Sequence, residues 1–166
     1  MIIREALEQE LPFVRKQRVR AYEEHAGSVK EDHWLALKKA VSSEADRGPG
    51  VEVLVAEVDN QIVGSVVLFP AYTDAYEGQV EEVDYPEIRM LSVSPEARGR
   101  GIASELIKEC IQRSKEKGHT HIGLHTGSFM TGAMKLYEGF GFERLPEYDF
   151  EPANDGIVVR AYRLKL

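Results

Sequence analysis

The chain has 166 residues, 43% of them hydrophobic, and a formal net charge of −7 at pH 7. That length fits one domain with a real core, and no window approaches 18 apolar residues, which excludes a membrane-spanning helix. The acidic balance argues against a general nucleic-acid binder and leans toward cationic partners such as amines.

In chain order, MIIRE reads as a short strand and 7–24 as a run of good helix formers. The opening MIIREALEQELPF lacks a basic start followed by an apolar run, so it does not read as a signal peptide. Cys110 is the single cysteine, which excludes an internal disulfide, and the expected compartment is the cytoplasm. Ser28 and Glu31 stand at capping-box spacing. Trp34, Leu37 and Val41 follow at helical intervals, and RGPG (47–50) should end that helix. VEVLVAEV (51–58) and IVGSVVLF (62–69) flank Asp59-Asn60, a turn signal, and predict a hairpin. The stretch 70–86 has no clear period, and a connection that long is usually functional or mobile. EIRMLSV (87–93) is strand-like. From 102 to 117, Ala103, Leu106, Cys110 and Ile111 share one face of a helix that Gly118 stops. HIGLHT (121–126) reads as a strand, and 128–138 as a short helix ended by Gly139 and Gly141. FERL and GIVVRAYRLKL supply two closing strands. The expected fold class is α/β in the broad sense, or α+β: a mixed sheet flanked by helices, in one domain over 1–166.

The informative turn is Arg98-Gly99-Arg100-Gly101-Ile102-Ala103, between the strand at 87–93 and the helix that follows. A helix start leaves about four backbone N–H groups without partners, carrying roughly half a positive charge. Glycines let a ligand approach that backbone, and a phosphate or pyrophosphate is a fitting guest. Arg98 and Arg100 add charge. The competing reading is a glycine-rich helix start with solvated arginines. Two phosphate loops do not fit: there is no G-x-x-x-x-G-K-[ST] string, and Gly99-x-Gly101-x-x-Ser104 lacks the third glycine of the dinucleotide fingerprint. The pattern [QR]-x-x-G-x-[GA] does fit 98–103. With it, and with Ala133, Leu136, Tyr137, Gly141 and Phe142 matching A-x-x-L-Y-x-x-x-G-F, the chain resembles the GCN5-related N-acetyltransferases, the GNAT superfamily. The resemblance spans the whole chain, and its specific part is 87–142.

The resemblance implies a mostly antiparallel mixed sheet, with a splay between the strands at 87–93 and 121–126. It implies that acetyl-CoA is the co-substrate, its pyrophosphate on Arg98, Gly99, Arg100, Gly101, Ile102 and Ala103 and its pantetheine arm along Leu91, Ser92 and Val93. A backbone N–H there would polarise the thioester carbonyl. Tyr137 is the implied general acid at the departing sulfur, since an ordinary phenol stays protonated at neutral pH; packing of the short helix is its other reading. Glu87 occupies the position of the catalytic glutamate in histone-type members, which makes it the candidate base, directly or through water; an exposed strand-end carboxylate is the alternative. Asp74, Glu77, Glu81, Glu82 and Asp84 precede it and would favour a cationic acceptor; a solvated charged face is their other reading. The implied partner is a small-molecule or peptide amine, with no nucleic acid or membrane, and with a homodimer as a common arrangement in that family. A non-catalytic acyl-CoA sensor of the same fold is the alternative function.

Three other signals weigh less. His119, His121 and His125 alternate along one strand, but no cysteine or carboxylate joins them, and no metal is expected; His125 is an auxiliary acid–base candidate. Cys110 on an apolar helix face reads as core. Met130 stands where many members of the family carry an asparagine that contacts the cofactor, so one contact is expected to be missing.

Overall fold

The computed structural model describes residues 1–73 and 82–166. The described elements are β1 (Ile2–Glu5), α1 (Leu11–Tyr22), α2 (Glu31–Ser42), β2 (Glu52–Val58), β3 (Gln61–Phe69), β4 (Glu87–Val93), α3 (Ile102–Glu116), β5 (His121–Gly127), α4 (Thr131–Gly139), β6 (Glu143–Arg144) and β7 (Val159–Lys165). The strands form one mixed sheet in the order β1-β2-β3-β4-β5-β7-β6. The pairs β1–β2, β2–β3, β5–β7 and β6–β7 are antiparallel, and β4–β5 is parallel. The chain divides into two compact units, Met1–Leu68 with Met90–Cys110, and Phe69–Arg89 with Ile111–Leu166.

In the first unit, Asp59 and Asn60 both take left-handed backbone (φ 50° and 63°). That is the geometry a two-residue hairpin needs to follow strand twist, and it joins β2 to β3 as their sequence predicts. Val53, Leu54, Val55 and Ala56 are consecutively buried, as are 64–69. A strand buried at every residue is covered on both faces. Here α1 covers one and α3 the other: Ser65 bonds Gln17 of α1, while a Cβ on its neighbour Gly64 would lie 3.1 Å from Ile102 of α3. Cys110 is buried in that helix's apolar stripe with Ile102, Leu106 and Ile107.

Three expectations in this unit change. The segment 7–24 is not one helix: 3-10 turns at Glu8–Glu10 and Glu23–Ser28 bracket α1. The Ser28–Glu31 capping box is not formed. Ser28 closes the second 3-10 turn, so α2 begins two residues late for it and takes Lys30 as its N-cap. Glu31 and Asp32 instead place acids on the first turn, where the helix dipole favours them. The helix also ends at Ser42, before a 3-10 turn at Glu44–Arg47, rather than at the RGPG run.

In the second unit, β5 pairs with β7 over seven residues, His121↔Lys165 to Gly127↔Val159. Its parallel register with β4 pairs Glu87 with Gly123 and Ile88 with Leu124. Gly123 is required by its neighbour: a Cβ there would sit 2.4 Å from Tyr85 Cε2.

Candidate active site

The glycine-arginine turn lies in the first unit. Ser94 N–H donates to the Val63 carbonyl (2.8 Å), and one 3-10 turn, Pro95–Ala97, carries the chain to extended Arg98. Gly99 and Gly101 then take φ of 77° and 78°, a region where an L side chain costs about 1–2 kcal/mol. A Cβ on either would meet no atom within 4 Å. The glycines are therefore required by backbone conformation, and the space above them is open. The Gly101 carbonyl accepts the Glu105 N–H (3.1 Å), which makes Gly101 the first cap of α3. Helix geometry leaves the amides of Gly101, Ile102, Ala103 and Ser104 without intrahelical acceptors. That array suits an anion.

The two arginines divide their tasks. The Arg98 guanidinium donates to the Ala21 carbonyl (3.0 Å) and to the Val93 carbonyl (3.4 Å), and pairs with Glu24. Arg20 forms a bidentate pair with Glu96 (2.8 and 2.9 Å). Both contacts pin the turn to α1, and the Arg98 head group is turned to α1 in this structure rather than out over the turn. Arg100 is exposed. Upstream, Ser92 Oγ is buried against Gln17 Oε1 (3.2 Å) and Ser65 Oγ (3.2 Å), so any contact of Ser92 with a cofactor falls to its backbone; Leu91 and Val93 are half-buried. Met90 has φ 57° within β4. A long side chain in the left-handed region is an outlier, and such strain collects at functional sites. Nothing in EIRMLSV signals it.

The titratable candidates lie in the second unit. Glu87 is buried, and its Oε2 is 3.3 Å from His125 Nδ1. His125 Nε2 is 3.0 Å from the Tyr148 carbonyl, and its ring meets Phe150 edge-on, with centroids 5.6 Å apart. Burial, then the Glu87 charge, pushes the Tyr85 phenol up to about 12. Arg144 clasps Asp149 (2.8 and 2.5 Å). Burial opposes the Asp149 charge, but Arg144 and the Ala161 N–H outweigh it and hold the carboxyl below its ordinary range. Tyr137 is buried on α4, edge-on to Phe142 at 5.9 Å. Met130 is the N-cap of α4 and offers no side-chain cap; its sulfur accepts from Thr126 Oγ1 (3.5 Å).

Sequence reasoning named Glu87, His125 and Tyr137 one by one. It missed that Glu87 and His125 meet, and it missed Tyr85, Tyr148 and Phe150, which the register of β4 and β5 and the return of 146–150 bring to them. Of the three alternating histidines, His119 precedes the strand, and His121 Nδ1 is 2.9 Å from Thr120 Oγ1. Among the described residues no three His, Cys, Asp or Glu side chains group as metal ligands, and no helix is long and apolar enough to cross a membrane. Asp74, Glu77 and Glu81 lie outside the described residues; Glu82 and Asp84 are exposed.

Known proteins share this family and fold. The family model described as "Acetyltransferase (GNAT) family" matches residues 9–142. Rat N-acetyltransferase 8F1 is 38% identical over 90 residues, which is 54% of this chain and 38% of that relative's length; the chain therefore spans well under half of it. Two solved structures share the fold over 99% of this chain. PaiA N-acetyltransferase from Thermoplasma acidophilum, in complex with coenzyme A, has a TM-score of 0.72 at 16% identity, with 98% of its chain covered. A GNAT family acetyltransferase from Brucella melitensis, in complex with acetyl-CoA, has a TM-score of 0.67 at 22% identity, with 87% covered.

Proposed function

Because the chain belongs to the acetyltransferase (GNAT) family, we propose that it moves the acetyl group of acetyl-CoA to a primary amine by direct attack, as one domain over 1–166. The observation that carries this reading is the turn at 99–101: two left-handed glycines beneath open space, opening directly onto the first amides of α3. The pyrophosphate sits on the amides of 101–104 with Arg100 beside it, and the pantetheine arm follows the backbone of 91–93. Arg98 contributes through its backbone and by holding the turn.

The amine nitrogen attacks the thioester carbon and the carbon–sulfur bond breaks. A protonated alkyl amine has no lone pair to attack with, so a base must first take its proton. Glu87 takes it, directly or through a water. Tyr137 returns a proton to the departing thiolate. Exposed Glu82 and Asp84 favour an acceptor that carries positive charge, a small molecule or a peptide amine.

The test has two measurements. Thiol release from acetyl-CoA across a panel of amines should reveal acceptors; CoA binding with no release on any amine would make the chain an acyl-CoA-binding module instead. Gly101→Glu sets a side chain in the left-handed region and a negative charge on the anion cradle, and calorimetry should show CoA affinity falling sharply in a folded protein. Wild-type affinity in that variant would overturn the assignment of the turn.

A further inference from the structure

The contact between Glu87 and His125 follows from register. Glu87 stands opposite Gly123 in the parallel pair, and His125, two residues on, shares Gly123's face. The Tyr85 ring fills the space over Gly123, so the Glu87 carboxylate is confined beside the imidazole. The side chains are 10% and 3% exposed respectively.

Each ring nitrogen of His125 faces an oxygen: a carboxylate at 3.3 Å and a backbone carbonyl at 3.0 Å. An ionised carboxylate and a carbonyl only accept, and a neutral imidazole donates from one nitrogen alone. The Tyr148 carbonyl is the nearer oxygen and never titrates, so the hydrogen of the neutral ring is assigned to Nε2. The Nδ1 lone pair then faces the Glu87 oxygen, and one proton is missing between two acceptors. Filling that gap gives a carboxylate bonded to an imidazolium, a charge-assisted hydrogen bond in a pocket almost closed to water.

We propose that Glu87 and His125 take the acceptor's proton as a unit. This rests on reading Glu87 as the base. The ammonium N–H breaks as a carboxyl O–H forms on Glu87. That O–H then breaks as the Nδ1 lone pair takes the proton, which stays bridged to Oε2. Glu87 is the catalytic residue; His125 acts through it, as the positioning and proton-holding partner. The segment 146–150 is what keeps the tautomer. Arg144 and the Ala161 N–H hold Asp149, and the Phe150–Val159 bridge holds the next residue, so the Tyr148 carbonyl stays in place. Glu87 from β4 and the Tyr148 carbonyl and Phe150 from this segment face the ring, with Asp149 near enough for its charge and the ring's to interact. Tyr85, with Arg163 over its ring at 5.8 Å, faces Glu87 from the other side.

The experiment combines nitrogen NMR of the histidine ring with kinetics. In the wild type, Nε2 of His125 should stay protonated across the pH range while Nδ1 gains and loses its proton. In Glu87→Gln, which removes the anion, the signature of a proton bridged from Nδ1 to a carboxylate should disappear and Nε2 should not change. His125→Gln retains a donor for the Tyr148 carbonyl but cannot hold the bridging proton. Its kcat should fall by about 10²-fold, at the low end for general acid–base groups, with the acetyl-CoA KM nearly unchanged and the basic-side pH limb altered. Joined with Glu87→Gln it should add little, because the two act as a unit. Titration at Nε2 instead of Nδ1, or losses that multiply in the double variant, would overturn the proposal. Should no amine be acetylated, the proposed function fails by itself, while the Nδ1 titration still decides whether the pair shares a proton.

Discussion

Tyr137 shows how far a single residue can be read before its surroundings are known. Its place in A-x-x-L-Y-x-x-x-G-F marked it, and the fold buries it with the ring against Phe142, so packing calls for an aromatic there and the proposed catalysis would call for its hydroxyl as well. Tyr137→Phe separates them. The ring stays, its contact with Phe142 stays, and one proton donor goes. If the phenol acts as the carbon–sulfur bond breaks, it matters to the transition state more than to bound substrates. We expect kcat to fall by roughly 10²-fold, the low end for a general acid, because a CoA thiolate can leave without full protonation. The acetyl-CoA KM should barely move. Normal kcat would make Tyr137 a packing residue. Gly99 and Gly101 were legible for a different reason: left-handed backbone selects glycine strongly enough to show in the sequence. Met90 adopts the same region with no such mark, since a methionine there is tolerated by its surroundings rather than chosen for its φ.

Among the elements, α1 departs furthest from what its sequence suggests. Its residues read as good helix formers, yet the side chain it buries most completely is Arg18, at 0% exposure, between Val41 of α2 and Met90 of β4. Arg18 and Arg15 share one buried carboxylate, Asp46 (3.1 and 2.7 Å). Burial pulls the Arg18 guanidinium below its ordinary range, opposed by Asp46, and its Nε and Nη2 have no hydrogen-bond partner among the described residues. A buried ion pair often adds little net stability, whereas removing one partner strands the other charge. The two halves of this pair should therefore behave unequally. Arg18→Met, similar in length and apolar, should leave urea stability unchanged or raise it. Asp46→Ala leaves two guanidinium groups with one less anion and should cost about 3–5 kcal/mol. Equal losses in both variants would show that Arg18 is retained for its bonds to Asp46 and Val41. No pattern of spacing identifies an inward arginine, because periodicity counts it as polar and turns it outward.

For the molecule as a whole, local signals and long-range ones parted company. The hairpin at 59–60, the glycine-arginine turn as a helix start and the closing strands were legible because each is specified within a few residues. The meeting of Glu87 with His125 was not, because it depends on a parallel register between strands more than thirty residues apart in sequence, and on the return of 146–150. Charge lies between these cases: its sum is in the composition, but its effect depends on where it is displayed. If the acceptor is cationic, as proposed, a net −7 attracts it over distances set by the screening length, about 30 Å at 0.01 M salt and about 8 Å at 0.15 M. Exposed Glu82 and Asp84 precede the strand that carries Glu87, so their share should be larger than that of acids elsewhere on the surface. For a dicationic amine, kcat/KM should fall as salt rises, and the fall should be shallower for a monocation. Glu82→Gln with Asp84→Asn should lower kcat/KM at low salt and flatten the salt dependence, while leaving turnover at saturating amine near wild type, because steering acts on encounter rather than on chemistry. The measurement is kcat/KM for both amines at several ionic strengths in both proteins. A double variant with wild-type salt dependence would assign these acids to solubility alone and leave acceptor choice to the buried groups around Glu87.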